Sequence, residues 1–344
     1  MKEEAVRVGV VGVGNFGRLH AAVLRDLPGA RLAALCEPDE GRRHAAAVAF
    51  PDVPLFASFA EALERAALDA VVLATPETEH AAQAVAAMER GWDVLVEKPL
   101  ALSWIEARAV REAARRTGRV LQVGTVLRFS VPHRQLAEAV HAGRLGSVLH
   151  IRAIRWISRD WLPRTSVHLA HRAAIHDIDQ VLWLTRSRVV RVVAATHTLL
   201  ADGPPAALAA LLWLRSGATA SVETHFLVPA AFPMSTLPPE RPGTRRGLLE
   251  VVGSGGLGRV DEGAGLELWT DEAAHAPDAV VVPAVGGRID GALRAELEHF
   301  TACVAGRIAP SPVLLDESVH AVAVAAALVA AAETGRMTEV EEDM

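Results

Sequence analysis

Short runs of aliphatic and β-branched residues alternate with amphipathic stretches over residues 6–124, which predicts strands joined by crossover helices. The predicted strands are Val6–Val11, Arg31–Cys36, Pro54–Phe56, Asp69–Ala74, Asp93–Val96 and Val120–Val123. Two of the intervening helices open on capping-box spacings, Ser58 with Glu61 and Ser103 with Glu106, where serine and glutamate satisfy otherwise orphaned N–H groups. Gly91 and Gly118 fit helix terminators. Strand and helix in strict alternation predict an α/β domain with a doubly wound parallel sheet.

After Gly124 the pattern changes. A helix at about His133–Ala142 precedes a long strand, Ser147–Ile157, then an irregular stretch, Arg159–Arg172, and a helix from about Ala174 to Thr185. Leu208–Leu214 and Thr219–Phe226 read as a hairpin turning at Ser216–Gly217. Pro229–Arg246 is proline-rich and reads as a mobile loop. Strands at Leu248–Val252 and Leu266–Trp269 flank a Gly253–Gly258 turn region, and helices at about Gly291–Ala305 and Leu315–Thr334 close the chain. Consecutive strands without crossover helices predict an α+β domain with an open, largely antiparallel sheet and helices on one face. With 344 residues, about two domains are expected: residues 1–125 and residues 126–344.

Composition narrows the function. The net charge of −6 argues against a general nucleic-acid surface. The longest apolar stretch, Val319–Ala332, contains His320 and is short of the roughly 20 residues of a membrane span, so a buried helix is expected. The N-terminus enters a glycine motif without a signal-like apolar region, so a cytoplasmic location is expected. Two cysteines, Cys36 and Cys303, make neither a disulfide framework nor a cysteine-rich zinc site. No tyrosine is present, which excludes dehydrogenase chemistry built on a Tyr–Lys pair. Among 35 Lys and Arg residues only Lys2 and Lys98 are lysine. A lysine amine can titrate and move a proton, whereas arginine stays charged.

The run Val6–Gly17 carries Gly12, Gly14 and Gly17 as G-x-G-x-x-G, with Asn15 and Phe16 between, directly after a strand and opening a helix. This is the fingerprint of dinucleotide binding: a tight turn, a close backbone approach to pyrophosphate, and close helix–strand packing. Glu37 follows Gly17 by 20 positions at the end of the second strand. A carboxylate there binds ribose hydroxyls and repels a 2′-phosphate, favouring NAD over NADP, although Arg42 and Arg43 are close enough to soften that preference. Thr75 and Pro76, ending the fourth strand, and His80 beyond them are expected along the cofactor cleft. Glu97-Lys98-Pro99 ends the fifth strand, so the one internal lysine falls where a nicotinamide ring is expected, and Glu97 and Lys98 are expected among the cofactor-binding residues.

A second candidate is His176, in His176-Asp177-Ile178-Asp179 at the start of a helix. Oxidation of a secondary alcohol needs a base near the hydroxyl, and an imidazole or amine suits it. Asp179, three residues on, is expected on the same helical face and is grouped with Lys98 and His176 as catalytic. His168, His171 and His176 match no strong metal-ligand spacing, and no metal is expected.

With these residues the sequence resembles the Gfo/Idh/MocA oxidoreductases along nearly its whole length. The resemblance rests on Gly12–Gly17, Ala74-Thr75-Pro76 with His80, Glu97-Lys98-Pro99, and the His176–Asp179 helix with Trp183-Leu184. Leu249–Gly253 with Gly256, and Ala332–Arg336, look like the family's C-terminal pattern. It implies a Rossmann domain followed by an open sheet that often mediates homodimers or homotetramers. It also implies that Lys98 and His176 act on a sugar, inositol or related hydroxyl. Val126-Leu127-Arg128-Phe129 with the histidine–aspartate run looks most like members acting on nucleotide sugars. Many members place an aspartate four residues before the histidine, where this chain has Arg172. Arg172 and Arg128 are therefore expected to bind substrate, with Arg155, Arg159 and Arg164 within reach, and an anionic sugar fits such a fork. Two other readings stay open: an NAD-dependent glycosidase with no net redox, and a non-catalytic sugar-sensing regulator.

Overall fold

The structure is a computed structural model that describes residues 5–159, 162, 167–199, 203–229, 235–236, 245–262, 268–269, 274–277, 280–310 and 312–342. Six parallel strands form the predicted N-terminal sheet: β1 (Val6–Val11), β2 (Ala30–Cys36), β3 (Leu55–Phe56), β4 (Ala70–Leu73), β5 (Asp93–Glu97) and β6 (Leu121–Gly124). Their order is β3-β2-β1-β4-β5-β6, and every pairing is parallel. The crossovers contain α1 (Asn15–Arg25), α2 (Glu40–Ala49), α3 (Phe59–Arg65), α4 (His80–Glu89) and α5 (Trp104–Thr117). A parallel sheet covered on both faces needs consecutive apolar residues. Val71, Val72 and Leu73 of β4 and Val94, Leu95 and Val96 of β5 accordingly have no exposed surface. Strand order reverses between β1 and β4, and ligands bind outside the carboxyl ends of strands at such a switch point.

The caps follow the sequence with one correction. Ser103 and Glu106 close a full capping box, while Gly118 (φ +66°) ends α5 in the left-handed conformation. Ser58 accepts the Glu61 N–H, but the Glu61 carboxylate takes the Ala57 N–H instead of that of Ser58, so this cap is one-sided.

The chain divides into two compact units, Met1–Val126 with Ala284–Val319, and Leu127–Pro283 with His320–Met344. The second unit is thus not the continuous stretch 126–344 expected from the sequence. Residues 284–319 join the first unit because α8 (Ala292–Val304) packs against α1, with Arg294 3.6 Å from Asp26.

The second unit carries α6 (Val131–His141), α7 (Ile175–Thr185) and a seven-stranded sheet. Its strands are β7 (Val148–Ser158), β8 (Val189–Thr198), β9 (Pro205–Leu214), β10 (Thr219–Val228), β12 (Arg245–Gly253), β13 (Gly256–Asp261) and the C-terminal pair of residues Thr338–Glu339. All neighbours are antiparallel except β7 with β10. The predicted hairpin is β9–β10. Gly217 (φ +90°) makes its turn, donating to the Leu214 carbonyl at 3.0 Å. Part of the predicted loop Pro229–Arg246 is ordered into β11 (Ser235–Thr236) and the start of β12. Its other residues from 230 onward lie outside the described ones, as do Arg164 and the first two residues of the predicted Leu266–Trp269 strand.

The last helix, α9 (Pro312–Thr334), is longer than the apolar stretch within it. Leu314–Thr334 has the length and composition to cross a membrane, yet Val322, Val324, Ala325, Leu328 and Ala331 are fully buried in the fold. That burial fits a core helix.

His320 on α9 is buried, its Nε2 3.1 Å from the Val189 carbonyl. Burial, reinforced by the Arg188 charge, pushes it down to about 4. The unfolded chain, with an ordinary histidine near about 6.5, binds the extra proton between these values. Stability is therefore full above about pH 6.5 and falls as pH drops toward about 4, by up to about 3 kcal/mol from this group. Urea midpoints across that window are expected to fall with pH in the parent and to fall less in His320→Gln, which keeps an N–H donor.

Candidate functional site

The cofactor candidates gather at the carboxyl edge of the six-stranded sheet. Gly12 follows β1 with φ +84°, and a Cβ there would lie 2.6 Å from the Ala74 carbonyl oxygen. A Cβ on Gly17 would lie 1.8 Å from the Gly12 carbonyl oxygen, so helix α1 can approach its strand only with glycine there. Gly14 differs: a Cβ on it would meet nothing within 4 Å. The fold itself does not require a glycine at Gly14, whose bare backbone leaves room for a ligand to approach closely. Asn15 and Phe16 are half-buried and begin α1, whose cap residue Gly14 offers no side-chain acceptor and whose first turn holds no acidic residue. Its leading N–H groups are left for an anion.

Glu37, just past β2, accepts the Val13 N–H at 2.8 Å and the Asp39 N–H at 3.0 Å. Arg42 Nε lies 3.1 Å from the same carboxylate, and Arg43 donates to the Glu37 and Pro38 carbonyls at 2.9 and 2.8 Å. A carboxylate has about four lone-pair sites, so one remains for a ribose hydroxyl. Both arginines that were expected to soften the preference for NAD are engaged in holding this corner. Cys36 beside it is no nucleophile, since burial, with the Glu37 charge second, pushes its thiol up to about 12.

Thr75 is half-buried and donates to Gln83 at 2.8 Å, and Pro76 is exposed. His80 is not a lining residue as the sequence suggested. It is 1% exposed, with Nδ1 2.7 Å from the Pro99 carbonyl and Nε2 3.0 Å from the Thr75 carbonyl. Glu97 is likewise buried, 2.8 Å from His20 Nε2 and 3.3 Å from the Lys98 N–H. Lys98 itself is half-buried, and the Lys98–Pro99 peptide is cis.

In the second unit, the turn Ala170–Ala174 is π-helical and leads into α7. Its opening is tied by His168, whose Nδ1 takes the Ala170 N–H at 3.1 Å and whose carbonyl takes the N–H of His171 and Arg172. Arg172 and His176 are half-buried, one helical turn apart on a segment whose other residues from Ala173 to Gln180 are buried. Both neighbouring aspartates are structural. Asp179 receives Arg128 bidentately, Nε to Oδ2 at 2.9 Å and Nη2 to Oδ1 at 2.7 Å, with Arg128 also over the Trp183 ring at 5.6 Å. Asp177 receives Arg155 in the same manner at 3.0 and 2.7 Å. The expected proton-handling role of Asp179 is corrected here, because its buried carboxylate is taken by Arg128, which is equally buried and commits Nε and Nη2 to it. Arg155 is also withdrawn from any substrate fork, while Arg159 is exposed and donates to the Leu227 carbonyl at 3.4 Å.

Glu262 and His133 extend the Arg155–Asp177 pair at 3.6 and 3.8 Å. They are distant in sequence and share no motif, so nothing local marks them. His20 stands in a helix with no neighbour that marks it. Among the described residues no group of three His, Cys, Asp or Glu gathers to hold a metal.

Two family profiles match the chain: one described as the oxidoreductase family with NAD-binding Rossmann fold, over residues 6–125, and the GFO/IDH/MocA C-terminal domain, over residues 133–259. An inositol 2-dehydrogenase of Leifsonia xyli subsp. xyli is 34% identical over 272 residues, covering 77% of this chain and 76% of the relative. Among solved structures, myo-inositol 2-dehydrogenase from Lactobacillus plantarum superposes with a TM-score of 0.83 at 21% identity, covering 98% of this chain and all of that one. Scyllo-inositol dehydrogenase from Lactobacillus casei with bound NAD(H) and scyllo-inositol gives 0.82 at 19% identity, covering 98% and 99%. At these identities the solved structures establish the fold.

Proposed function

Because this chain belongs to the Gfo/Idh/MocA oxidoreductase family, we propose that it is an NAD-dependent dehydrogenase oxidising a ring secondary hydroxyl of an inositol-like cyclic polyol. The observation that carries this reading is the position of Lys98. The only lysine besides Lys2 follows β5 at the same sheet edge where Gly14 leaves open space after β1. Gly12, Gly14 and the first turn of α1 would hold the pyrophosphate, and Glu37 a ribose hydroxyl. Bound NAD supplies the hydride acceptor. The chain's own part is the hydroxyl proton, which Lys98 and His176 hold and remove as the carbon–hydrogen bond breaks. Arg128 and Asp179 act as positioning residues, fixing the rotation of α7 and so of His176.

Inositol is the favoured substrate class because the relative named above, matching three-quarters of the chain, is named for it. Arg172 favours a second reading within the same chemistry, an acidic polyol or sugar acid, since a guanidinium pairs with carboxylate. The test is the rise of NADH absorbance with purified protein, NAD and a panel of inositols, aldoses, sugar acids and nucleotide sugars. Turnover confined to neutral inositols supports the first reading. Turnover confined to acids and lost in Arg172→Ala supports the second. Cleavage of aryl glycosides without net NADH would replace both with the glycosidase reading, and cofactor binding with silence across the panel would leave the regulator.

The chain is further proposed to pair through the outward face of its seven-stranded sheet. Val193, Leu211 and Trp213 stand half-exposed there beside the exposed Ala195 and Ala209, an apolar face that a second copy would cover. Light scattering is expected to give a dimer or tetramer, and Leu211→Arg a smaller species. A monomeric parent would end this proposal.

A further inference from the structure

The segment Glu97-Lys98-Pro99 is gripped on both sides of the lysine by buried histidines from two different helices. On the N-terminal side, the Glu97 carboxylate meets His20 of α1 at 2.8 Å, with side-chain exposures of 0% for His20 and 10% for Glu97. The carboxylate also sits over Gly124 of β6, its strand partner, where a Cβ would come within 3.0 Å of it. On the C-terminal side, the Pro99 carbonyl meets His80 of α4 at 2.7 Å, and the same ring reaches the Thr75 carbonyl at 3.0 Å. The His20 ring is further fixed by an edge-on contact with Phe16 at 5.3 Å.

The partners assign the protons. Glu97 accepts, so His20 Nε2 carries the hydrogen in that bond, while His20 Nδ1 is buried with no hydrogen-bond partner. An unmatched lone pair is tolerable where an unmatched N–H would be costly, so the Nε2–H tautomer is selected. Both carbonyls at His80 are acceptors only, so a neutral ring donates its single N–H to one of them while its other nitrogen packs against the second. Neither histidine reaches the lysine amine in any contact described above. What both do is fix the backbone on either side of it.

We infer that His20 and His80 are positioning residues that brace the Lys98 turn between the glycine-loop helix and the end of β4. This rests on the reading of Lys98 as the proton-handling residue. A base displaced by about 1 Å loses about 10²-fold in rate, so such a brace acts on turnover more than on binding.

The low lysine content provides a direct readout. With ¹³Cε-lysine labelling the protein gives resonances from Lys98 and Lys2 only. His20→Met removes the donor at similar bulk, His20→Gln returns an N–H, and His80→Gln replaces a rigid ring whose two nitrogens reach both carbonyls by a flexible amide with a single nitrogen. The expected result is a shifted or broadened Lys98 signal in His20→Met and His80→Gln, with the Lys2 signal unmoved. Turnover should drop about 10–100-fold while KM for NAD stays within about twofold, and His20→Gln should recover most of it. An unchanged Lys98 resonance together with parental kcat in His20→Met and His80→Gln overturns the brace. If His20→Met does not fold, His80→Gln alone decides by the same two readouts. Lys98→Met measured alongside separates the two ideas: full activity there removes the function assigned to Lys98, while the resonance still reports whether the histidines hold its turn.

Discussion

Lys98→Met is expected to reduce kcat by about 10²–10⁴-fold, the range typical of losing a general acid–base group. The substitution keeps a similar length and removes only the titratable amine. The lysine follows β5 at the sheet edge, whereas Gly12, Gly14 and Glu37 follow β1 and β2 and keep their shape without it. NADH affinity, read by fluorescence titration, should therefore change by no more than about twofold, because a group acting on the reacting proton stabilises the transition state and not the bound ground state. Lys98→Arg is the sharper control. It retains the positive charge but cannot give up a proton, so it should be as inactive as methionine. Parental turnover in the arginine variant would mean that the charge matters and proton transfer does not.

Arg155→Met is expected to destabilise the second unit by about 3–5 kcal/mol, because it leaves the buried Asp177 and Glu262 without their shared cation. Burial already raises the Asp177 carboxyl, and Arg155 works against that rise. Without Arg155 the carboxyl rises further. The penalty then stands in full above the raised value and is relieved as pH falls and the group takes a proton. Urea midpoints should show a larger gap between variant and parent near about pH 8 than near about pH 5. The double variant Arg155→Met with Asp177→Leu should recover part of the loss, since it removes the carboxylate that Arg155 pairs bidentately and leaves only Glu262 without the guanidinium. A single variant as stable as the parent at every pH would show that the pair contributes little to this fold.

Much of the cofactor end was legible locally. The strand–glycine–helix run, the acidic residue after β2 and the lysine after β5 all lie where their motifs put them, because each depends on backbone geometry within a few residues. No predicted strand boundary in the first unit moved by more than one residue. The second unit was less legible: β7 and β10 pair in parallel although 60 residues of chain lie between the end of one at 158 and the start of the other at 219, and nothing local encodes that pairing.

What the sequence by itself determined is the order of elements, the nucleotide-binding turn, the hairpin at Gly217 and the place of the one internal lysine. Only the tertiary structure decided which charged residues are free to act. Arg128, Arg155 and Asp179 read as site candidates along the chain, and folding pairs Arg128 with Asp179 and Arg155 with Asp177 because a buried charge without a partner costs several kcal/mol. His80 and Glu97, expected along the cofactor cleft, are instead buried against the Pro99 and Thr75 carbonyls and His20 for a related reason. A sequence names the donors and acceptors near a site, but burial and long-range partners determine which remain available to a substrate.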